Sequence, residues 1–328
     1  MINSLVSIII PTYNRAHIIN ETLDSIAAQT YQSWECIMVD DGSTDDTDKI
    51  VNKYLEKDIR FQFYSRPENR LKGANACRNF GIENSKGEYI MFLDSDDICE
   101  TFCLQERVEK VVNDSSADLL IKDTSLFILN EKYTFSINKD PEINTSENYL
   151  RMFLRYEIPW PIMGCFYKKS ALENCKFDEN LNRFQDVSFN IKLLSQAKQL
   201  KIVRDFKIDT YYRVDDNKVF NEGFVSNMLN ALLVFYQIHV NLIQDKNYAA
   251  DLRKFSCKII LEFVIPYFSQ NKKVSNRIFF WSVNSKLYTI NQKRVLLLMM
   301  IFLNTRLFEV KKIAMNKFRN RFKRILSQ

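Results

Sequence analysis

The chain is 328 residues long, 46% hydrophobic and 26% charged, so it holds enough apolar side chain for a sizeable core and for one large domain or two modest ones. Its net charge of +6 is unevenly placed: residues 291–328 carry ten Lys/Arg against one Glu, a net +9, which leaves −3 for the rest. No run of about 20 apolar residues exists to cross a bilayer, and two histidines and seven cysteines without a CxxC pair argue against histidine catalysis, zinc and disulfides.

From the N-terminus, Leu5–Ile10 reads as a buried strand and Ala16–Gln29 as the helix after it. Glu35–Val39 is a second strand with helix Asp46–Leu55 after it. Arg60–Tyr64 is a third with helix Ala74–Glu83, and Glu88–Leu93 a fourth with helix Phe102–Val112. Asp118–Ile121 opens a fifth strand, and Val187–Ala197 has the pattern of an amphipathic helix. Such alternation implies βαβ units: an α/β fold, Rossmann-like, with a mostly parallel sheet flanked by helices. Sheets of this kind bind ligands at the carboxyl ends of their strands, near the point where strand order reverses. After Gly223 there is no glycine and only one proline, Pro266, which predicts helices. The change of texture near residue 216 predicts one domain over 1–215 and a helical region over 216–328. The start, MINSLVSIIIPTYN, lacks the cationic flank of a signal peptide, so a cytoplasmic location is expected.

Leu303, Leu307, Val310, Ala314, Phe318, Phe322 and Ile325 recur at spacings of three or four, with Lys312, Arg319 and Lys323 roughly opposite. A basic amphipathic helix of this kind can lie peripherally on the inner face of a membrane. It can equally pack on the first domain or on a second copy in a homo-oligomer. No recognition motif for nucleic acid accompanies the cations, so a nucleic-acid partner is not expected.

Three loops begin where such a sheet presents ligand-binding groups. They are Pro11-Thr12-Tyr13-Asn14-Arg15, Asp40-Asp41-Gly42-Ser43-Thr44-Asp45 and Asp94-Ser95-Asp96-Asp97. Two carboxylates flanking one residue can converge on a hard divalent cation that bridges to phosphate, or can cap the helix that follows. In the second loop a carboxylate can accept from a nucleobase N–H or cap a helix, and Tyr13 can stack on the base or simply pack. In the segment from Arg66 to Asn79, Lys72, Gly73 and Arg78 lie at a loop-to-helix transition suited to phosphate, while Arg66 and Arg70 read as a solvated basic turn. Asp186, in Arg183-Phe184-Gln185-Asp186, is either a helix cap or a proton acceptor.

Taken in this order and at these distances, VSIIIPTYNR, VDDGSTDDT, the Lys72–Asn79 segment, GEYIMFLDSDD and Asp186-x-x-Phe189 resemble the family 2 glycosyltransferases of GT-A fold. The likeness is strongest to bacterial enzymes of capsule, exopolysaccharide or lipopolysaccharide assembly, and it covers about residues 5–215. It implies that Pro11, Thr12 and Tyr13 cradle a nucleoside and that Asp41, with Asp40 beside it, reads the base. Lys72 and Arg78 fall near the diphosphate. Asp94, Ser95 and Asp96 fall at the donor and metal motif, with Asp94 and Asp96 as ligands for Mn²⁺ or Mg²⁺ and Asp96 the direct one. Asp186 falls at the general base. The resemblance further implies a nucleotide-sugar donor, a UDP-sugar, and a hydroxyl acceptor on a glycan or lipid-linked sugar, with inversion at the anomeric carbon. Two departures stand out: Gln185 precedes Asp186 where the family usually has Glu, and Tyr212-Arg213 is followed by Val214-Asp215-Asp216 where many relatives have His. The remaining alternatives are a nucleotidyltransferase, against which PTYNR is a poor phosphate loop, and an inactive sugar-nucleotide-binding subunit.

Overall fold

The computed structural model describes residues 4–114, 117–196, 200–214 and 222–305. The described residues fall into two compact units, those within Met1–Leu150, Ile158–Asn180 and Gln185–Asn217, and those within Arg151–Glu157, Leu181–Phe184 and Lys218–Gln328.

The first unit is built on a sheet. Strand β1 (Val6–Thr12) is buried at every residue because both of its faces are covered. Ile8 and Ile10 point to one side, into a core shared with Ile19, Leu23, Val51, Leu104 and Val108. Ile9 points to the other, where α3 (Ala74–Asn84) lies so close that a Cβ on Gly81 would sit 2.4 Å from Ile9 Cγ2. The alternation in β2 (Trp34–Asp40) is the same, with Cys36 and Met38 on one face and Ile37 and Val39 on the other. A strand covered on both faces is apolar along most of its length, which is why these segments read as near-continuous runs; the buried exceptions Ser7 and Glu35 hydrogen-bond to each other at 2.6 Å.

Helices α1 (Ile19–Ala27) and α2 (Thr47–Lys57) follow β1 and β2. Strands β3 (Phe61–Ser65) and β4 (Tyr89–Phe92) complete a parallel group, in the order β3-β2-β1-β4. The chain therefore moves outward through β2 and β3 and then crosses back to the far side of β1, so strand order reverses between β1 and β4. Beyond β4 come a two-residue strand β5 (Ile98–Cys99), α4 (Cys103–Asn113), the long β6 (Leu119–Ile128) with its short partner β7 (Glu131–Lys132), and α5 (Ser146–Leu154). Strand β8 (Cys165–Lys168), α6 (Gln185–Gln196) and β9 (Ile202–Arg213) complete the unit.

The described strands make one nine-stranded sheet, continuing β4-β8-β6-β9-β5. Here the expectation of a mostly parallel sheet needs refinement. Strand β8 is antiparallel to both β4 and β6, and β5 to β9, while β6 and β9 are parallel. The first four strands alternate with helices and must be parallel. The later connections mix helices α4, α5 and α6 with irregular stretches before and after them, which permits reversal.

The second unit is helical, with α7 (Glu222–Ile238), α8 (Val240–Gln244), α9 (Lys246–Ile259), α10 (Lys272–Asn284) and α11 (Ile290–Leu303). Two earlier segments belong to it. Tyr156 stacks on Phe255 with ring centroids 5.0 Å apart, and Phe184 meets Phe255 and Phe235 edge-on. Arg151 donates to Asp251 at 2.8 Å. Tyr236 stacks on Trp281 at 3.9 Å and shares Ser256 with Tyr288, so the polar ends of the buried tyrosines are hydrogen-bonded. The apolar stripe expected from Leu303 to Ile325 lies, after Thr305, outside the described residues.

Candidate active site

The carboxyl ends of β1, β2 and β3 are drawn level. Thr12 is the register partner of Asp40, Asp41 N–H donates to Thr12 O at 2.8 Å, and Arg66 N–H donates to Asp40 O at 2.8 Å. The loops after β1 and β2 are tied together through Asn14, whose N–H donates to Ser43 Oγ at 2.8 Å and whose Oδ1 accepts from Thr44 N–H at 2.7 Å. Asn14 takes a left-handed φ of 51°, a conformation that asparagine tolerates.

Within this frame the two neighbouring aspartates divide their work. Asp40 turns into its own loop, accepting from the N–H groups of Gly42 and Ser43 at 3.0 and 2.8 Å and from Ser43 Oγ at 2.5 Å. Asp41 reaches across to the next loop, accepting from Arg66 Nε at 2.5 Å and from Gly73 N–H at 3.0 Å. Gly73 has φ 137°, in a region that side chains rarely enter, and it opens α3. Arg66 and Arg70 are accordingly not the solvated turn that the sequence suggests. Arg66 is a largely buried partner of Asp41, and Arg70 bridges Glu83 and Glu179. Tyr13 stays 43% exposed, with Lys72 Nζ 4.3 Å from its ring centre. An aromatic face and a cation thus stand together at the rim of the β1 and β2 loops.

Asp94 follows β4, across the reversal of strand order from Thr12. The helix-cap reading of Asp94–Asp97 fails on geometry. Asp97 N–H donates to Asp94 O at 3.0 Å, closing a tight turn into β5, and α4 starts only at Cys103 with no side-chain cap. Asp94 Oδ1 accepts from Arg78 Nη2 at 2.6 Å, and the Arg78 side chain is 4% exposed against 35% for Asp94. Arg78, placed near the diphosphate by resemblance, meets the carboxylate that opens the acidic turn. Arg15 Nη2 lies 3.4 Å from Asp96 Oδ2. Ser95 is buried.

Asp186 lies in the first turn of α6, next to Gln185, whose Oε1 is 3.5 Å from Arg78 Nη1. Burial pushes the Asp186 carboxyl up to about 6, with Asp94 adding to the rise and Arg78 opposing it. Burial works against the charge of Arg78, yet Asp94 and Asp186 outweigh it and raise its affinity for its proton. Arg78, Asp94 and Asp186 therefore form one electrostatic cluster drawn from α3, the β4 turn and α6.

Two residues that the sequence reading did not place in the site also belong to this region. Arg15 was visible in PTYNR, but its approach to Asp96 was not. Arg213, the last residue of β9, donates from its backbone N–H to Asp97 Oδ1 at 2.8 Å, from Nε to Asp96 O at 2.7 Å and from Nη2 to Glu21 at 2.7 Å. It clamps the acidic turn from a strand 116 positions away in the chain. The only local signal was the Tyr212-Arg213 pair.

Hard oxygen donors from Asp94 and Asp96 suit a divalent cation of the Mg²⁺ or Mn²⁺ kind, and two protein carboxylates leave the remaining positions to phosphate and water. Among the described residues no group of three or more His, Cys, Asp or Glu forms a closed metal cage. Both carboxylates are ion-paired in the structure, Asp94 with Arg78 and Asp96 with Arg15.

Residues 7–165 match the family model described as Glycosyl transferase family 2. An uncharacterized glycosyltransferase of Haemophilus influenzae is 28% identical over 247 residues, covering 74% of this chain and 93% of its own. The GalNAc(5)-diNAcBac-PP-undecaprenol beta-1,3-glucosyltransferase of Campylobacter jejuni is 29% identical over 218 residues, 62% of this chain and 66% of its own. Among solved structures, S. aureus TarS 1-349 in complex with UDP-GlcNAc superimposes with a TM-score of 0.63 at 20% identity, covering 97% of this chain and 90% of that one. Fold and matches together define a glycosyltransferase of GT-A architecture. Within that class, residues 7–165 carry the glycosyl transferase family 2 domain.

Proposed function

We propose that the chain transfers a sugar from a UDP-sugar to a hydroxyl of a glycan or lipid-linked acceptor, with inversion at the anomeric carbon, during assembly of a surface polysaccharide. The observation that carries this reading is the cluster of Asp94, Arg78 and Asp186 at the carboxyl end of β4. In this reading Asp186 is the proton acceptor and the neighbouring Asp94–Asp96 turn holds a diphosphate-bound cation. The UDP-GlcNAc complex of TarS supports a UDP-sugar donor, and the undecaprenol-linked acceptor in the Campylobacter enzyme's name supports a lipid-linked one.

In this reading Tyr13 offers its exposed ring to the base, and Asp41, oriented by Arg66 and Gly73, accepts from the base N–H. Pro11 and Thr12 border the nucleoside, while Asp40 keeps the loop in shape. Lys72, at the Tyr13 ring, supplies a cation toward the phosphates. Asp94 and Asp96 would bind Mg²⁺ or Mn²⁺, which when bound offsets charge building on the leaving diphosphate, and Ser95 between them borders the donor. Asp186 takes the acceptor hydroxyl proton as the acceptor oxygen bonds to the anomeric carbon. The bond from that carbon to the diphosphate oxygen breaks, and the electron pair leaves with UDP. Attack opposite the leaving group inverts the centre. The sheet unit carries all of these residues, so the catalytic domain is assigned to it, at the cytoplasmic face of the membrane.

The test is a panel of nucleotide sugars with Mn²⁺ or Mg²⁺ and a hydroxyl acceptor, reading released nucleoside diphosphate, with the product linkage assigned by NMR. One UDP-sugar should release UDP and give an inverted linkage. A retained linkage would refute the single displacement, and release of pyrophosphate would favour nucleotidyl transfer.

A further inference from the structure

We propose that the α10–α11 hairpin is a docking face for a lipid surface carrying anionic headgroups. The proposal deepens the reading above, which sets the enzyme at a membrane, but every residue involved lies in the helical unit, so vesicle binding and sugar transfer can fail separately.

The register of α11 is fixed at its start by a capping box between Thr289 and Gln292. With 3.6 residues per turn, Gln292, Leu296, Met299 and Leu303 fall on one side, and all four are buried. Ile290, Leu297, Leu298 and Ile301 fall on the other, where they are 65, 41, 61 and 53% exposed. An amphipathic helix normally turns polar residues to water. This one is apolar on both sides, and its outer stripe is interrupted by the exposed Arg294. In α10 the exposed side holds Lys273, Arg277 and Phe280, the last 67% exposed. The two outer faces meet: Phe280 and Ile301 line one groove with Met300, and Asn276 and Asn304 exchange side-chain hydrogen bonds at its edge. The result is an exposed apolar surface shared by the two helices, with Arg277 and Arg294 set among its apolar side chains.

Charge selects the occupant. From Phe263 to Thr305 there are six Lys/Arg and no Asp or Glu. Arg277 lines a groove with Phe280 and Trp281, so its aliphatic stem can lie on apolar surface while its head meets a phosphate. A second copy of the chain would bring the same cations to the contact. The residues after Thr305 carry eight Lys/Arg against Glu309, so they too lack the negative charge that the face calls for. An anionic headgroup layer over acyl chains supplies both halves of the complement. No described helix is long and apolar enough to cross a membrane, and α11 spans 14 residues, so the face would lie on a bilayer and not through it.

The experiment is flotation of the full chain with vesicles of phosphatidylglycerol and phosphatidylcholine, against phosphatidylcholine alone, at low salt. Two variants are compared with it: Phe280→Ser/Leu298→Ser/Ile301→Ser, and Arg277→Ser/Arg294→Ser. All five positions are exposed, so folding should survive, and circular dichroism and UDP release by donor hydrolysis should be unchanged. The parent should float with phosphatidylglycerol vesicles, and each variant should lose about tenfold or more in partitioning. Parent-like flotation of both variants would overturn the proposal and assign any binding to other residues. So would a failure of the parent to float, or a parent dimer that the first variant dissociates with flotation unaltered, since the face would then belong to a second copy.

Discussion

A carboxylate that must accept a proton near neutral pH does so best when its own proton affinity is raised toward that pH. Burial raises Asp186 to about 6, with Asp94 pushing the same way and Arg78 pulling back. The active form is the anion, so the fraction able to act falls as pH drops through about 6. In the proposed reaction kcat/KM should therefore rise with pH and level off above that value. Asp186→Asn keeps the side chain's shape but cannot take the proton. It should lower kcat by roughly 10²- to 10⁴-fold and erase the acidic limb, with UDP binding nearly intact. A variant with parental turnover would reduce Asp186 to part of the first turn of α6. Asp94 and Asp96 make a different demand. Asp96→Ala should abolish transfer, Asp94→Ala should cut it about 10²-fold or more, and EDTA should do so reversibly with Mn²⁺ or Mg²⁺. Full activity in chelator would sink the metal assignment. Asp94→Ala carries a second consequence: it strands the buried Arg78, so its fold should be checked alongside its rate.

Elements deliver these residues through close packing and buried charge. Helix α3 reaches Asp94 through Arg78 because it lies flat on β1, which only a glycine at position 81 allows. Behind the acidic turn, α4 and β9 are joined by Arg107 and Asp209, both with fully buried side chains. Arg107 donates to both carboxylate oxygens at 2.7 and 2.8 Å and to the carbonyls of Met163 and Cys165 at 3.0 and 3.1 Å, leading into β8. The pair ties α4, β8 and β9 together, and β9 ends in Arg213 on the acidic turn. Removing one member leaves the other charged and buried. Asp209→Ala should destabilise the protein by about 3–5 kcal/mol, read as a shift in the urea midpoint. A loss under about 1 kcal/mol would mean that water reaches and satisfies the stranded Arg107.

At the scale of the whole molecule, the two units follow different rules. The sheet unit places its motifs where strand order reverses, so residues from β1, β2, β4 and α6 gather at one end of the sheet. The helical unit has no such end. It gathers an aromatic cluster from Tyr156, Phe184, Phe235 and Phe255, and leaves an apolar and cationic face on α10 and α11. The vesicle experiment belongs to this scale, because its outcome depends on a surface made by two helices jointly.

The elements were legible in the sequence because their signals are local. Apolar runs between polar turns mark β1, β2 and β4, and the helices after them fall within a few residues of the expected bounds. The loops that carry chemistry were legible for the same reason, since the carboxyl end of a strand is a position along the chain. The likeness of five ordered motifs to the family added what no single motif held. What the tertiary structure alone decided was pairing. Asp40 turns inward while its neighbour Asp41 meets Arg66, Asp94 meets Arg78, and Arg213 comes back to Asp96. The same holds for the reversed β8 and for the segments 151–157 and 181–184 that join the helical unit. A hydrogen bond between residues far apart in the chain depends on the path of everything between them. The raised proton affinity of Asp186 depends on how completely water is removed from it. Neither quantity has a period or a motif, so neither can be read from the order of residues.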